Sequence, residues 1–182
     1  FTASVSDTTA EDSDSITVND VGAGQISLTE GSLEVAQGGV ANITLELTEA
    51  ASGGTLVIGD ESDSGYQANV SFTDEDDDGE VTVYFNTYLA GNTSSSIDSK
   101  NVVWAAGDDK TEFDATSNQS DLSDILDQGD YQLAVSTTDD AADTLESPQD
   151  LGSVYVGERS TDSAATWTAP MGANLDADDD GT

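Results

Sequence analysis

The sequence contains no cysteine and no histidine, and only three of its 182 residues are cationic: Lys100, Lys110 and Arg159. Each absence excludes chemistry. Without Cys or His there is no Ser-His-Asp or Cys-His nucleophile pair, no ordinary zinc or haem site and no disulfide framework. With so few cations, nothing could neutralise a phosphate backbone or an anionic membrane surface, so nucleic acid and acidic lipid are excluded as partners. The sequence begins at Phe1 without Met and carries neither a positively charged signal segment nor any apolar run near the ~20 residues of a membrane-spanning helix. Either a signal was removed or this is a piece of something longer, and the end inside an Asp-rich run reads as a cut.

Carboxylates are abundant instead: 38 Asp and Glu against the three cations give a formal charge of -35. In dilute buffer such a chain, with 35% hydrophobic residues, approaches the composition of disordered proteins. In molar salt the Debye length falls to roughly 3 Å, and an acidic surface then keeps a folded protein hydrated and soluble. The composition therefore predicts a halophile's protein. Disordered tails do not alternate, and this chain does.

The hydrophobic period is two. Ile43, Leu45 and Leu47 alternate with polar neighbours, as do Tyr66, Ala68, Val70 and Phe72, and then Val81, Val83 and Phe85. Further strands are expected at Gln25–Thr29, Leu33–Ala36, Thr55–Ile58, Val102–Ala105, Tyr131–Ser136 and Leu151–Val156. One helical turn is expected at 121–126, with Ser120 as N-cap, and no other helix. Turn-bounded strands with little helix predict an all-β chain, an antiparallel β-sandwich. Asp127, Gly129, Tyr131 and Leu133 fit the tyrosine corner of immunoglobulin-like sandwiches, where a Tyr hydroxyl bonds back to the backbone a few residues upstream. The expected organisation is an N-terminal extension or edge strand over 1–21, an immunoglobulin-like sandwich over 22–158, and a linker or lead-in to a following module over 159–182.

Asp74, Asp76 and Asp78, followed by Gly79, have the spacing of the first half of a calcium loop, in which alternate side chains of a curled backbone converge on one cation. Position twelve, where an EF-hand has Glu, is Phe85, and no helices flank the run. Asp176, Asp178 and Asp180, followed by Gly181, repeat the spacing. A solvated acidic run joining two strands is the alternative for both. Asn42, Asn69, Asn92 and Asn118 lie in Asn-x-Ser/Thr sequons, four of the chain's eight Asn residues, and are candidate sites for N-linked glycans. Gly38-Gly39 and Gly53-Gly54 read as hairpin turns, not as a phosphate-binding loop. Trp104 and Trp167 have the chemistry to stack on sugars, as in a carbohydrate-binding module, but Trp104, inside an apolar run, reads as core and Trp167 as packing between modules. Paired carboxylates alone do not make a glycosidase, because no apolar stretch sets one of them apart to raise its pKa.

Four stretches carry a family likeness: Asn42 to Leu47, Asp74 to Tyr88, Gly129 to Val135, and Val156 to Pro170. Over roughly residues 22–170 the chain resembles the surface glycoproteins of halophilic archaea, the S-layer-type proteins with tandem immunoglobulin-like domains. The resemblance implies an extracellular, glycosylated, calcium-associated coat component with no enzymatic activity. It would assemble with copies of itself or with sister surface domains. The stretch lacks the membrane anchor and Thr-rich stalk of a full-length coat protein. A filament subunit, donating residues 1–18 as a strand to its neighbour, is the alternative.

Overall fold

A computed structural model describes residues 2–4, 11–13, 24–48, 50–91, 98–113 and 125–159. Ten strands of the described residues form two sheets. The six-stranded sheet runs β10 (Lys110–Phe113), β7 (Ala68–Thr73), β6 (Gly53–Ile58), β11 (Gly129–Ser136), β12 (Asp150–Gly157), β4 (Ser32–Ala36). The four-stranded sheet runs β3 (Ile26–Leu28), β5 (Val40–Leu47), β8 (Glu80–Asn86), β9 (Val103–Ala105). β1 (Thr2–Ser4) and β2 (Glu11–Ser13) pair with each other as a separate antiparallel hairpin.

The alternation seen in the sequence becomes the two inner faces. Ile43, Leu45, Val81, Val83 and Phe85 come from one sheet, and Leu56, Val70, Phe72, Leu133, Val135 and Val154 from the other; all are buried in one core. The chain is an all-β sandwich. β3, β5 and β8 of the four-stranded sheet face β6, β11 and β12 of the six-stranded one across this core. β9 and β10, which extend the two sheets at one end, both follow β8 in sequence.

The sandwich is not purely antiparallel. β4 lies parallel to β12, with Leu33 opposite Val154 and Val35 opposite Val156. The cause is that the chain crosses from the four-stranded sheet to the six-stranded one between β3 and β4, so one edge is shared between both layers. Gly38-Gly39 turns the chain back across the sandwich into β5, with Gly39 N–H donating to Ala36 O at 2.8 Å, and is no hairpin turn. Gly53-Gly54 opens β6 between β7 and β11. There a Cβ on Gly54 would run into the Ser136 carbonyl oxygen of β11.

Two short helices were not expected: α1 (Glu61–Ser64) and α2 (Ala141–Glu146). Each is started by an Asp side chain. Asp60 accepts from Ser62 N–H, and Asp140 from Ala142 and Asp143 N–H. These caps draw the Asp60 carboxyl below its usual range, chiefly through the Ser62 hydroxyl and N–H. α2 packs on β6 and β11 at the outer face, where Val57 and Ala134 are fully buried. Of the helical turn expected at 121–126, residues 121–124 lie outside the described residues, and Leu126 is a core residue with no helical conformation.

The tyrosine corner is present: Tyr131 Oη donates to Asp127 O at 2.9 Å. Tyr66, edge-on to Tyr131 at 6.1 Å, is fully buried and its hydroxyl has no hydrogen-bond partner. Burial, helped by Tyr131, pushes that hydroxyl well above the ordinary tyrosine range. The two tyrosines should respond oppositely to loss of the hydroxyl. Tyr131→Phe should cost about 1 kcal/mol, while Tyr66→Phe, by removing an unpaired buried polar atom, should gain about 1 kcal/mol. Urea unfolding in molar salt measures both; a loss of stability in both variants would mean that the Tyr66 hydroxyl is satisfied.

Candidate metal centre and glycosylation positions

The acidic loop 74–79 connects β7 to β8 and so crosses from one sheet to the other. Asp77 (φ 58°) and Gly79 (φ 83°) take left-handed backbone, which curls the loop inward. Gly79 N–H donates to Asp74 Oδ2 at 2.9 Å, Asp78 N–H to Asp76 Oδ1 at 3.3 Å, and Glu80 N–H to Asp78 Oδ1 at 2.8 Å. The result brings one carboxylate oxygen each from Asp74, Asp76 and Asp78 within 4.8 Å of one another. Calcium takes oxygens at 2.3–2.6 Å, so oxygens up to about 5 Å apart can share one ion.

Asp76 and Asp78 are exposed, as a solvated acidic turn would be. Asp74 is different: it is 6% exposed, and its Oδ1 is sealed from solvent with no hydrogen-bond partner. A buried carboxylate oxygen without a donor or a cation is costly. The three residues and this orphaned oxygen fit a hard divalent cation.

A fourth carboxylate, Asp109, was not recognised in the sequence. It lies in the connection from β9 to β10, which also crosses between the sheets, and accepts from Glu75 N–H at 3.1 Å. Burial pushes its carboxyl above the usual range; the Glu75 N–H opposes this, and Asp76, Asp74 and Asp78 add to the rise. The adjacent Lys110 pairs with Glu75 at 2.7 Å, but both side chains are well exposed, so the pair contributes little to stability. Asp109 stands 35 residues beyond Asp74 and is one of 38 acids, so spacing could not pick it out. The second acidic run, Asp176, Asp178 and Asp180, lies outside the described residues.

Asn42 lies on β5 with its side chain exposed on the outer face of the four-stranded sheet. Thr44, the sequon hydroxyl, is held by Thr82 at 3.0 Å. Asn69 on β7 is half-buried near the start of α2, and its Oδ1 accepts from Gln67 at 2.9 Å. Asn92, Asn118 and Trp167 lie outside the described residues. Trp104 is not core. It is half-buried on the outer face of β9, stacked on Tyr84 at 5.4 Å, because Val103 takes the inward position opposite Phe85.

Fold and site together define an acidic β-sandwich module with a carboxylate-lined loop and, among the described residues, one exposed sequon asparagine, Asn42. The profile of "Domain of unknown function (DUF7827)" matches residues 18–138, and the chain belongs to this family. It is 39% identical over 144 residues, 79% of its length, to "Cell surface glycoprotein" of Haloferax gibbonsii, and covers 15% of that protein. It is 33% and 30% identical to "Cell surface glycoprotein 1" and "Cell surface glycoprotein 2" of Haloarcula hispanica, each over 92% of the chain and 18% of the relative. The chain thus spans less than a fifth of the length of these curated relatives. No solved structure matches significantly. The relatives place the chain among haloarchaeal surface glycoproteins, at the extracellular cell surface. Among the described residues no helix is long and apolar enough to cross a membrane.

Proposed function

We propose that this chain is an immunoglobulin-like structural module of an S-layer-like haloarchaeal coat, working by assembly with copies of itself or sister domains and not by catalysis. The similarity to cell-surface glycoproteins over 92% of the chain supports the surface role. The one structural observation that carries the rest is Asp74, whose buried, unpaired oxygen calls for a cation. Calcium held by Asp74, Asp76 and Asp78, with Asp109 beside them, would cancel local repulsion. It would also tie together two loops that each bridge the sheets. Glycans on the sequon asparagines, Asn42 first among the described ones, would cover the outer faces.

Strand donation in a filament has less support, because Thr2–Ser4 already pairs with Glu11–Ser13 of the same chain. Electron microscopy of the protein at molar salt with calcium should show ordered arrays that disperse on chelation. A monodisperse monomer at every salt and calcium level would contradict the assembly role.

A further inference from the structure

The outer face of the four-stranded sheet carries a row of three side chains that the core does not need. Asn42 on β5 is directly opposite Tyr84 on β8, and Tyr84 is directly opposite Trp104 on β9. Adjacent strands lie about 4.8 Å apart, so Asn42 stands roughly 5 Å from Tyr84 and roughly 10 Å from Trp104 along the row. The two rings stack with centroids 5.4 Å apart and planes 21° from parallel, making one aromatic plate. Both rings are half-buried and lie away from the core, among polar positions of the sheet.

Beyond the plate, Trp104 borders a cleft of about 460 Å³ lined also by Asn86, Leu89, Lys100 and Asn101. Asn86 Oδ1 accepts from the Tyr88 and Leu89 N–H groups at 3.0 and 3.3 Å, so its amide nitrogen remains available as a donor. Lys100 forms no ion pair among the described residues, although acids outnumber cations 38 to 3. The cleft therefore combines an aromatic wall, amide donors and an uncommitted ammonium group. Sugar rings present an apolar C–H face for aromatic stacking and hydroxyls for amide donors, and a sugar carboxylate or sulfate would meet the ammonium.

We propose that the Tyr84–Trp104 plate is the seat of a glycan attached to Asn42 of the same chain. The first sugars lie over the plate, and an anionic sugar further along occupies the cleft beside Lys100. This rests on the glycosylation reading given above and adds a specific docking surface. The glycan then becomes an ordered part of the sheet surface, where a carbohydrate without such a seat would be a solvated appendage. Of the two sequons on described strands, only Asn42 lies in a row with these rings.

The test uses the chain secreted from a haloarchaeal host, with the modified asparagines mapped by peptide mass spectrometry. Melting in molar salt then compares wild type, N42Q, W104A and the double variant. The glycan should raise the melting temperature by about 2–4 °C when Trp104 is present and leave it unchanged in the W104A background. In case W104A folds poorly, W167F leaves Trp104 as the one tryptophan of the chain; its emission should be bluer and less quenched by acrylamide than in N42Q/W167F. A bare Asn42 overturns both the glycosylation reading at this position and the docking. A modified Asn42 with additive melting effects and unchanged Trp104 emission overturns the docking alone. A glycan with no carboxylate or sulfate overturns the role of Lys100.

Discussion

Transfer from molar salt to dilute buffer should unfold this protein. The charge of -35 is spread along the chain and includes five consecutive acids, Asp74 to Asp78, on one short loop between the sheets. At 1 M salt the Debye length is ~3 Å and neighbouring carboxylates barely interact; at 0.01 M it is ~30 Å, comparable to the domain itself. Repulsion among these charges then favours an expanded chain. Far-ultraviolet circular dichroism across a salt series should show the β signal lost well before 0.1 M and regained when salt returns. Sodium and potassium chloride should act alike, since screening is non-specific. An unchanged spectrum and melting temperature down to 0.05 M would mean that the carboxylates are tolerated without screening.

Calcium should raise the melting temperature at constant high salt, by a different route. At a free concentration 100 times the dissociation constant, a single site adds ~2.7 kcal/mol, and at ~2–4 °C per kcal/mol for a domain of this size the shift is roughly 5–11 °C. Asp74→Asn should abolish it: the amide keeps an oxygen for the Gly79 N–H but removes the charge at the sealed position. Asp109→Asn should weaken binding by about 10–100-fold, the usual cost of losing a supporting residue beside a metal. Glu112→Gln, at an exposed site on β10, should change nothing. Magnesium at the same ionic strength should give a smaller shift, because it demands tighter octahedral geometry and holds its water. Equal shifts from both ions, unaffected by Asp74→Asn, would reduce the effect to screening.

The parts of the fold legible in the sequence were those encoded by neighbours. β5, β7 and β8 could be read because apolar and polar residues alternate along each of them. The tyrosine corner was legible because Tyr131 and the carbonyl it bonds are four residues apart. What depends on distant partners was not legible. β4 pairs in parallel with β12, whose paired residues lie 121 positions further along the chain (Ser32 opposite Ser153), and no local pattern records it. α1 and α2 span four and six residues, too short for a helical period, and their capping Asp residues are lost among many others. Val102-Val-Trp-Ala-Ala106 is apolar throughout, so the pairing of Val103 with Phe85 had to be seen before Trp104 could be placed outside. The candidate metal site divides the same way: Asp74, Asp76 and Asp78 announce themselves by spacing, whereas Asp109 lies beside their loop, on the Glu75 N–H, only because two sheet-crossing loops come together.

Calcium should be titrated calorimetrically into metal-stripped protein in molar potassium chloride, with Asp74→Asn and Asp109→Asn alongside. The wild-type protein should bind calcium, Asp74→Asn should lose that binding and Asp109→Asn should weaken it. Absence of binding heat, or binding that both variants retain unchanged, would mean that the Asp74 loop holds no calcium.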